Sequence, residues 1–386
     1  MKFVFLVIWL AAVGIGTAPV TAASTDIQFC PSGELRAYPL ESRRQIESVV
    51  LQDLAIVRQE AGEVEITGID IDLLHSGETI DTRRLVGSQL KHSLSQGAVA
   101  RPTQTSTTVP CANWEEEPLG AASGNPMLTQ NRALFLAPQL LTFQGPRDTV
   151  RVTVRGRSGQ RDVVANATIP LRSGMSRTVF RFPLRGAWWA GVGATPHTGH
   201  RWSIGEEFAL DISKLSGKGL DHSGSGDKLA DFYAYGADVL AAANGKVIAA
   251  VDGAPENEDA LRRPDESMED YSKRYNALQR ALIGRGAARL LGNYVVIDHG
   301  NAEFALYAHF RPGSVRVRVG ENVREGTPIG QLGSSGNSTA PHLHFQVCDG
   351  PDPLDCAGIP ISFKGIDLPW ADYPRPVQSG DLVVAN

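Results

Sequence analysis

The run His342-Leu343-His344 carries the sharpest chemistry in the sequence. In a strand, residues i and i+2 point to one face, roughly 6.5–7 Å apart. Two imidazoles so placed serve one centre, either both on a metal or one on the metal and one beside it. The stretch before them, Gly333-Ser334-Ser335-Gly336-Asn337-Ser338-Thr339-Ala340-Pro341, is a tight polar turn that fixes where the strand begins. Two more histidines extend the pattern. His309 ends the apolar run Phe304-Ala305-Leu306-Tyr307-Ala308, and His200 precedes Phe208-Ala209-Leu210-Asp211, where a carboxylate follows three apolar residues. A carboxylate and two imidazoles make three protein ligands and leave the fourth zinc position to water, the catalytic rather than the structural arrangement. Zinc lowers the pKa of that water towards roughly 7 and polarises a carbonyl oxygen. Histidines left over at the rim are placed to take the proton and stabilise a developing oxyanion.

Such residues need short strands to hold them, and residues 195 to 370 supply them. Seven of the 9 histidines fall here: His197, His200, His222, His299, His309, His342 and His344. Between and around them lie apolar runs, among them Val239–Ala243, Lys246–Val251, Tyr294–Asp298, Phe304–Ala308, Val315–Val317 and His342–Val347. One segment breaks the pattern. Met268, Tyr271, Tyr275, Leu278 and Leu282 recur at steps of three and four, a helical stripe that Gly284 and Gly286 end, so 264–283 is expected to be a helical insertion beside the site.

From about residue 45 to 190 the period is two. Ile69, Ile71 and Leu73 alternate with Asp70 and Asp72, and Val150, Val152 and Val154 with Arg151, Thr153 and Arg155. Alternation of this kind puts one strand face in a core and the other in water, and a β-sandwich of immunoglobulin size is expected. The polar residues 94–110 read as a long loop. Trp188 and Trp189, leading out of this half, are read as packing between the two halves rather than lining a groove. The resulting expectation is a mainly β chain: an accessory β-rich region over 23–190, a catalytic antiparallel sheet over 195–370 and a tail over 371–386.

Composition agrees with two or three domains. The chain has 386 residues, 42% hydrophobic and 20% charged, enough to bury a core, and 40 glycines with 23 prolines suit many tight turns. A formal net charge of −5 offers no overall basic surface for nucleic acid. The first 22 residues read as a secretory leader: Lys2, the apolar run Phe3–Val13, then the small-x-small exit Val20-Thr21-Ala22. That run is shorter than the roughly 20 apolar residues a span requires, so the mature protein is expected to be exported, periplasmic or secreted, without a stable membrane span. In that compartment the 4 cysteines read as disulfides. Cys348 and Cys356 flank a Pro- and Asp-rich loop, and by elimination Cys30 pairs with Cys111. No C-x-x-C, H-E-x-x-H, G-x-S-x-G or P-loop occurs, which removes cysteine zinc sites, gluzincins, α/β-hydrolases and nucleotide enzymes from consideration.

The second half resembles the lysostaphin/LytM-type zinc metallopeptidases, endopeptidases of bacterial peptidoglycan. The blocks that carry the resemblance are Gly236–Val247, Gly292–Gly300, Leu306-Tyr307-Ala308-His309-Phe310, Val317–Val323, Gly326–Gly330 and, most specific, Gly333–Phe345. The amino-terminal half lies outside it. The resemblance implies an antiparallel sheet under a groove, and one zinc ion held by His200, Asp211 and His344. It further implies His309 and His342 as the catalytic pair, activating the zinc-bound water and stabilising the tetrahedral intermediate on a peptidoglycan peptide. This chain departs from the family pattern in one place. The first histidine ordinarily lies four residues before the aspartate, and here that position is Glu207, with His200 eleven and His197 fourteen residues before Asp211. His200 is preferred to His197, with Glu207 a third candidate. Turn polarity explains His299, a solvated loop explains His222, and His75 and His92 have no partner in the reading. The alternative function is a non-catalytic module that uses the groove to hold wall peptide or a partner hydrolase; a third reading keeps the zinc but cleaves a glycine-rich protein.

Overall fold

Apolar residues at every second position decide how the first half pairs. In the computed structural model, which describes residues 25–30, 33–58, 61–103, 125–130, 132–195 and 197–386, the strand Thr149–Ser158 lies antiparallel between Glu63–His75 and Arg161–Arg172. Its register sets Val150, Val152 and Val154 opposite Leu73, Ile71 and Ile69, and all six are buried in one core. A shift of one residue would turn that whole set to solvent. These strands belong to a six-stranded sheet, and two three-stranded sheets complete the half.

On the outer face the same alternation lines up charges. Asp72 stands opposite Arg151 and Asp70 opposite Arg84. Arg84 Nε donates to Asp70 at 2.8 Å, Arg155 also donates to it, and Arg151 Nη2 donates to Asp72 at 2.7 Å. The Arg84 hydrogen bond, assisted by Arg155 and opposed by burial, holds the Asp70 carboxyl below its ordinary value. A carboxyl depressed by folding contributes stability above its unfolded pKa and loses it as pH falls through the folded value. Lowering the pH from 7 to 3 is therefore expected to reduce the urea midpoint of the wild type more than that of Asp70→Asn, followed by tryptophan fluorescence.

Helix α1, Gly87–Thr103, occupies the start of the stretch expected to be a loop over 94–110. It packs through Leu90 and Leu94, and at Gly97 so closely that a Cβ would meet the Phe135 carbonyl oxygen at 2.1 Å. Local polarity pointed to a loop there, and tertiary contact overrides it. The leader, residues 1–22, and the proposed partner of Cys30, Cys111, lie outside the described residues. Among the described residues no helix is long and apolar enough to cross a membrane.

The second half is a nine-stranded antiparallel sheet. Its order is Asn322–Val323, Gly245–Val251, Tyr294–Asp298, Phe304–Ala308, Leu343–Cys348, Leu210–Ser213, Gly186–Val192, Leu382–Ala385, Ile366–Asp367. Two of these strands reach beyond the 195–370 span expected from sequence. Gly186–Val192 crosses the boundary drawn at 190, and Leu382–Ala385, in the segment read as a tail, pairs with it. Trp188 is correspondingly buried in this sheet's own core, its indole N–H donating to the Arg185 carbonyl at 2.9 Å, rather than lying between the halves.

The helical stripe forms α2, Met268–Ile283, capped by the Ser267 hydroxyl, which accepts from the Asp270 N–H at 3.1 Å. The two halves meet where Tyr38 and Leu40 pack on Ala194 and Phe208, and the Tyr38 hydroxyl donates to the Val377 carbonyl at 3.1 Å.

Candidate active site

Strand register gathers the site. Asp211 pairs across with His344, and His344 with Ala308 on its other side. Period two then splits the strand Leu343–Cys348: Leu343, Phe345 and Val347 enter the core, while His344 and Gln346 face a cleft of about 520 Å³. His309 follows Ala308 at φ 68°, a left-handed conformation unusual for a residue with a Cβ. His342 leaves the polar turn just before the strand, and His200 arrives in the short 3₁₀ turn His200–Trp202. The turn is held close to the sheet by two glycines. A Cβ on Gly336 would meet the Gly292 N and the Leu290 carbonyl at 2.5 Å, and both glycines have positive φ.

Four imidazoles surround one carboxylate. His344 Nδ1 lies 3.0 Å and His342 Nε2 3.5 Å from Asp211 Oδ1, and His200 Nε2 lies 3.4 Å from Asp211 Oδ2. The His309 ring is 4.8 Å from that of His342 and 5.9 Å from that of His344, centroid to centroid.

Hydrogen bonds on the far side of three of the rings, His344, His309 and His342, fix a proton on each. The Gln346 amide nitrogen donates to the Pro353 carbonyl at 3.2 Å, so its Oε1 accepts from His344 Nε2 at 2.8 Å. His344 Nδ1 then faces the carboxylate at 3.0 Å, donating to it when the ring is protonated and offering a lone pair to a cation when it is not. His309 Nδ1 donates to the Ser335 carbonyl and His342 Nδ1 to the Ala340 carbonyl, each at 2.8 Å, leaving both Nε2 atoms bare. While the rings are neutral, lone pairs face lone pairs, and a proton or a cation relieves that. Burial disfavours charge on His344, but the Asp211 hydrogen bond and charge outweigh it and push the imidazole up to about 9. Asp211 is held well below the usual carboxylate range because its imidazole neighbours, His200 and His342 foremost, overcome burial. His309 goes the other way: burial, reinforced by the charges of His342 and His344, holds it well below 6.5 and neutral.

The ligand atoms of His200, Asp211 and His344 all lie within 4.8 Å of one another. Two imidazole nitrogens and a carboxylate oxygen gathered this closely are a donor set that suits zinc. His197, exposed, has only a 3.5 Å contact with the Thr195 hydroxyl. Glu207 is buried against Arg201 instead of joining the cluster. The other histidines have ordinary settings: His299 Nδ1 bonds to the Asn244 carbonyl at 2.8 Å, His222 to Asp221 at 2.6 Å, and His75 reaches Asp148 at 3.3 Å. His92 is exposed on α1.

The cleft is lined by Tyr275 and Gln279 of α2, by Leu290 and Leu291, and by Asp352, Pro353 and Leu354. The Tyr275 hydroxyl donates to Asn337 Oδ1 at 2.9 Å, tying the helix to the polar turn. The loop that carries Asp352, Pro353 and Leu354 is closed by the Cys348–Cys356 disulfide, the local pairing expected from sequence. Gln346 escaped the sequence reading although its signal was present, since it continues the His342, His344 alternation on the same strand face.

With this geometry stands a family match. Residues 281–356 match the family model described as Peptidase family M23, which bears out the resemblance over that segment. The matched stretch contains His309, His342 and His344 but ends short of His200 and Asp211. The chain is similar to the peptidoglycan DD-endopeptidase ShyA of Vibrio cholerae, with 38% identity over 80 residues, 21% of this chain and 16% of that protein. It is similar to the DD-carboxypeptidase/endopeptidase Mpg of Neisseria meningitidis, 39% identical over 98 residues, 25% of this chain and 22% of that one. A third relative is the murein hydrolase activator EnvC of Escherichia coli, 41% identical over 56 residues, 14% of this chain and 13% of that one. The chain thus spans less than a quarter of the length of each of these relatives.

Proposed function

We propose that this protein is an exported zinc metalloendopeptidase that hydrolyses peptide cross-links of peptidoglycan. The observation that carries the reading is the gathering of the ligand atoms of His200, Asp211 and His344 within 4.8 Å of one another, with the rings of His344, His309 and His342 each held by a hydrogen bond on its far side. The M23 match and the relatives named as peptidoglycan endopeptidases support the substrate class.

His200, Asp211 and His344 would hold the ion. Bound there, zinc supplies a Lewis acid that brings the pKa of a water down to about 7 and polarises the scissile carbonyl. His309 is neutral, with its proton committed to the Ser335 carbonyl and Nε2 bare, so it is set to accept a proton from the attacking water. His342, anchored at Nδ1 by the Ala340 carbonyl, carries a proton at Nε2 towards the developing oxyanion once it is protonated. The cleft of about 520 Å³ beside these residues, lined in part by α2 and the disulfide loop, offers room for a peptide segment.

The test is a digest of purified peptidoglycan by the chain from Ala23 onward, with muropeptides read by mass spectrometry. Fragments from a newly broken peptide bond are expected, absent after chelation and reduced by about 10²- to 10⁴-fold with His342→Ala. Zinc bound at one per chain with no fragments would instead favour the second reading, a non-catalytic module of the wall, a reading to which the name of the EnvC relative lends support.

A further inference from the structure

The residue after His200 is Arg201, and it is fully enclosed. Burying a guanidinium is costly unless its donors are met; here both terminal nitrogens are met, one from each half of the chain, while Nε has no partner among the described residues. Nη1 donates to Glu207. Nη2 donates to the Ser48 carbonyl at 3.2 Å and to the Ser48 hydroxyl at 3.1 Å. The Phe208 and Tyr38 rings flank the guanidinium, 4.9 and 5.6 Å from its carbon. Ser48 is itself buried, in the strand Ile46–Leu51, which is paired on both sides and so forms a rigid anchor.

A metal-binding histidine ordinarily donates its second ring nitrogen to a fixed acceptor, which orients the ring. His344 has Gln346 for this purpose. His200 has no equivalent among the described residues: its Nδ1 is buried and meets no partner there. Its turn is three residues long and has no side-chain cap. Placement of His200 is therefore left to the backbone, which turn hydrogen bonds such as Ser203 N–H to the His200 carbonyl shape and which the Arg201 side chain ties to the amino-terminal half. The same guanidinium holds Glu207, four residues before Asp211 on the other ligand-bearing segment.

We infer that Arg201 is a positioning residue for the metal site: docked on Ser48 of the amino-terminal half, it holds His200 beside Asp211, so that zinc affinity depends on the junction between the two halves. This rests on the metal reading given above. It also gives the amino-terminal half a role beyond that of a spacer, since an element that displaced Ser48 would loosen the ligand loop.

The experiment measures zinc affinity by competition with a chromophoric chelator, and melting of the metal-free forms, in the chain from Ala23 onward. Arg201→Gln and Arg201→Lys are expected to weaken zinc binding by about 10- to 100-fold, the usual range for loss of an outer group that orients a ligand. Ser48→Ala should weaken it in the same direction and add nothing in the Arg201→Gln background, because the contact it removes is already lost. Val152→Ala, in the core of the first half and away from the junction, should lower the melting temperature and leave zinc affinity unchanged. Wild-type affinity in the Arg201 variants would overturn the inference, as would a loss in Val152→Ala matching its loss of stability. A wild type that takes up no zinc would sink the metal reading itself, and this inference with it.

Discussion

Asp211→Asn is expected to yield a folded protein that retains no zinc after dialysis, where the wild type retains one ion per chain by elemental analysis. Asp211 is the one carboxylate in the cluster with His200 and His344 among the described residues, so the substitution removes that cluster's anionic donor. The change is nearly isosteric, and its amide supplies what the site otherwise takes from a proton or a cation. Turned towards a neutral His344, the Asn N–H donates to the Nδ1 that lies 3.0 Å from Asp211 in the wild type. In the metal-free wild type a protonated His344 makes the same contact by donating to Asp211, so the contact is satisfied without metal in both proteins and the melting temperature should stay close to that of the chelator-treated wild type. Stoichiometric zinc in Asp211→Asn would move the ion away from these three residues and remove the basis for the catalytic reading.

The site was legible in the sequence as far as local periodicity reaches. His342, His344 and, by the same alternation, Gln346 lie on one face of a single strand, and no tertiary information is required to see it. Asp211 and His309 were visible as polar ends of short apolar runs. What periodicity cannot give is register between distant segments. Asp211 stands opposite His344 across 133 residues of chain, and the choice among His200, His197 and Glu207 depends on where a Gly- and Ser-containing loop returns. Arg201 had no local signature at all. An arginine in a polar loop reads as solvated, and its burial follows from a strand that begins at Ile46.

The fold shows the same division. Strands that alternate cleanly, such as Thr149–Ser158, and the stripe of α2 follow from spacing alone. Helix α1 does not, because its sequence has few apolar residues and packs through Leu90, Leu94 and the absence of a side chain at Gly97. Leu382–Ala385 is too short to announce itself and becomes a strand only because Gly186–Val192 offers an edge.

His309→Ala and His309→Gly should separate the chemistry of this residue from its conformation. Both remove the imidazole whose bare Nε2 is set to take the proton, so both are expected to lower hydrolysis by about 10²- to 10⁴-fold while zinc stays at one per chain. Their stabilities should differ. The φ of 68° at position 309 disfavours any residue with a Cβ by about 1–2 kcal/mol, a cost alanine keeps and glycine sheds. Both variants lose the hydrogen bond to the Ser335 carbonyl, so that loss cancels when they are compared. Allowing for the greater freedom of glycine in the unfolded chain, the glycine variant should be the more stable by about 1 kcal/mol, read from urea midpoints. Equal midpoints would mean the backbone relaxes once the ring is gone, and the strain would then be held by the imidazole and its carbonyl partner rather than by the strand end. Hydrolysis within a fewfold of wild type in either variant would take the proton-accepting role from His309 and pass it to His342.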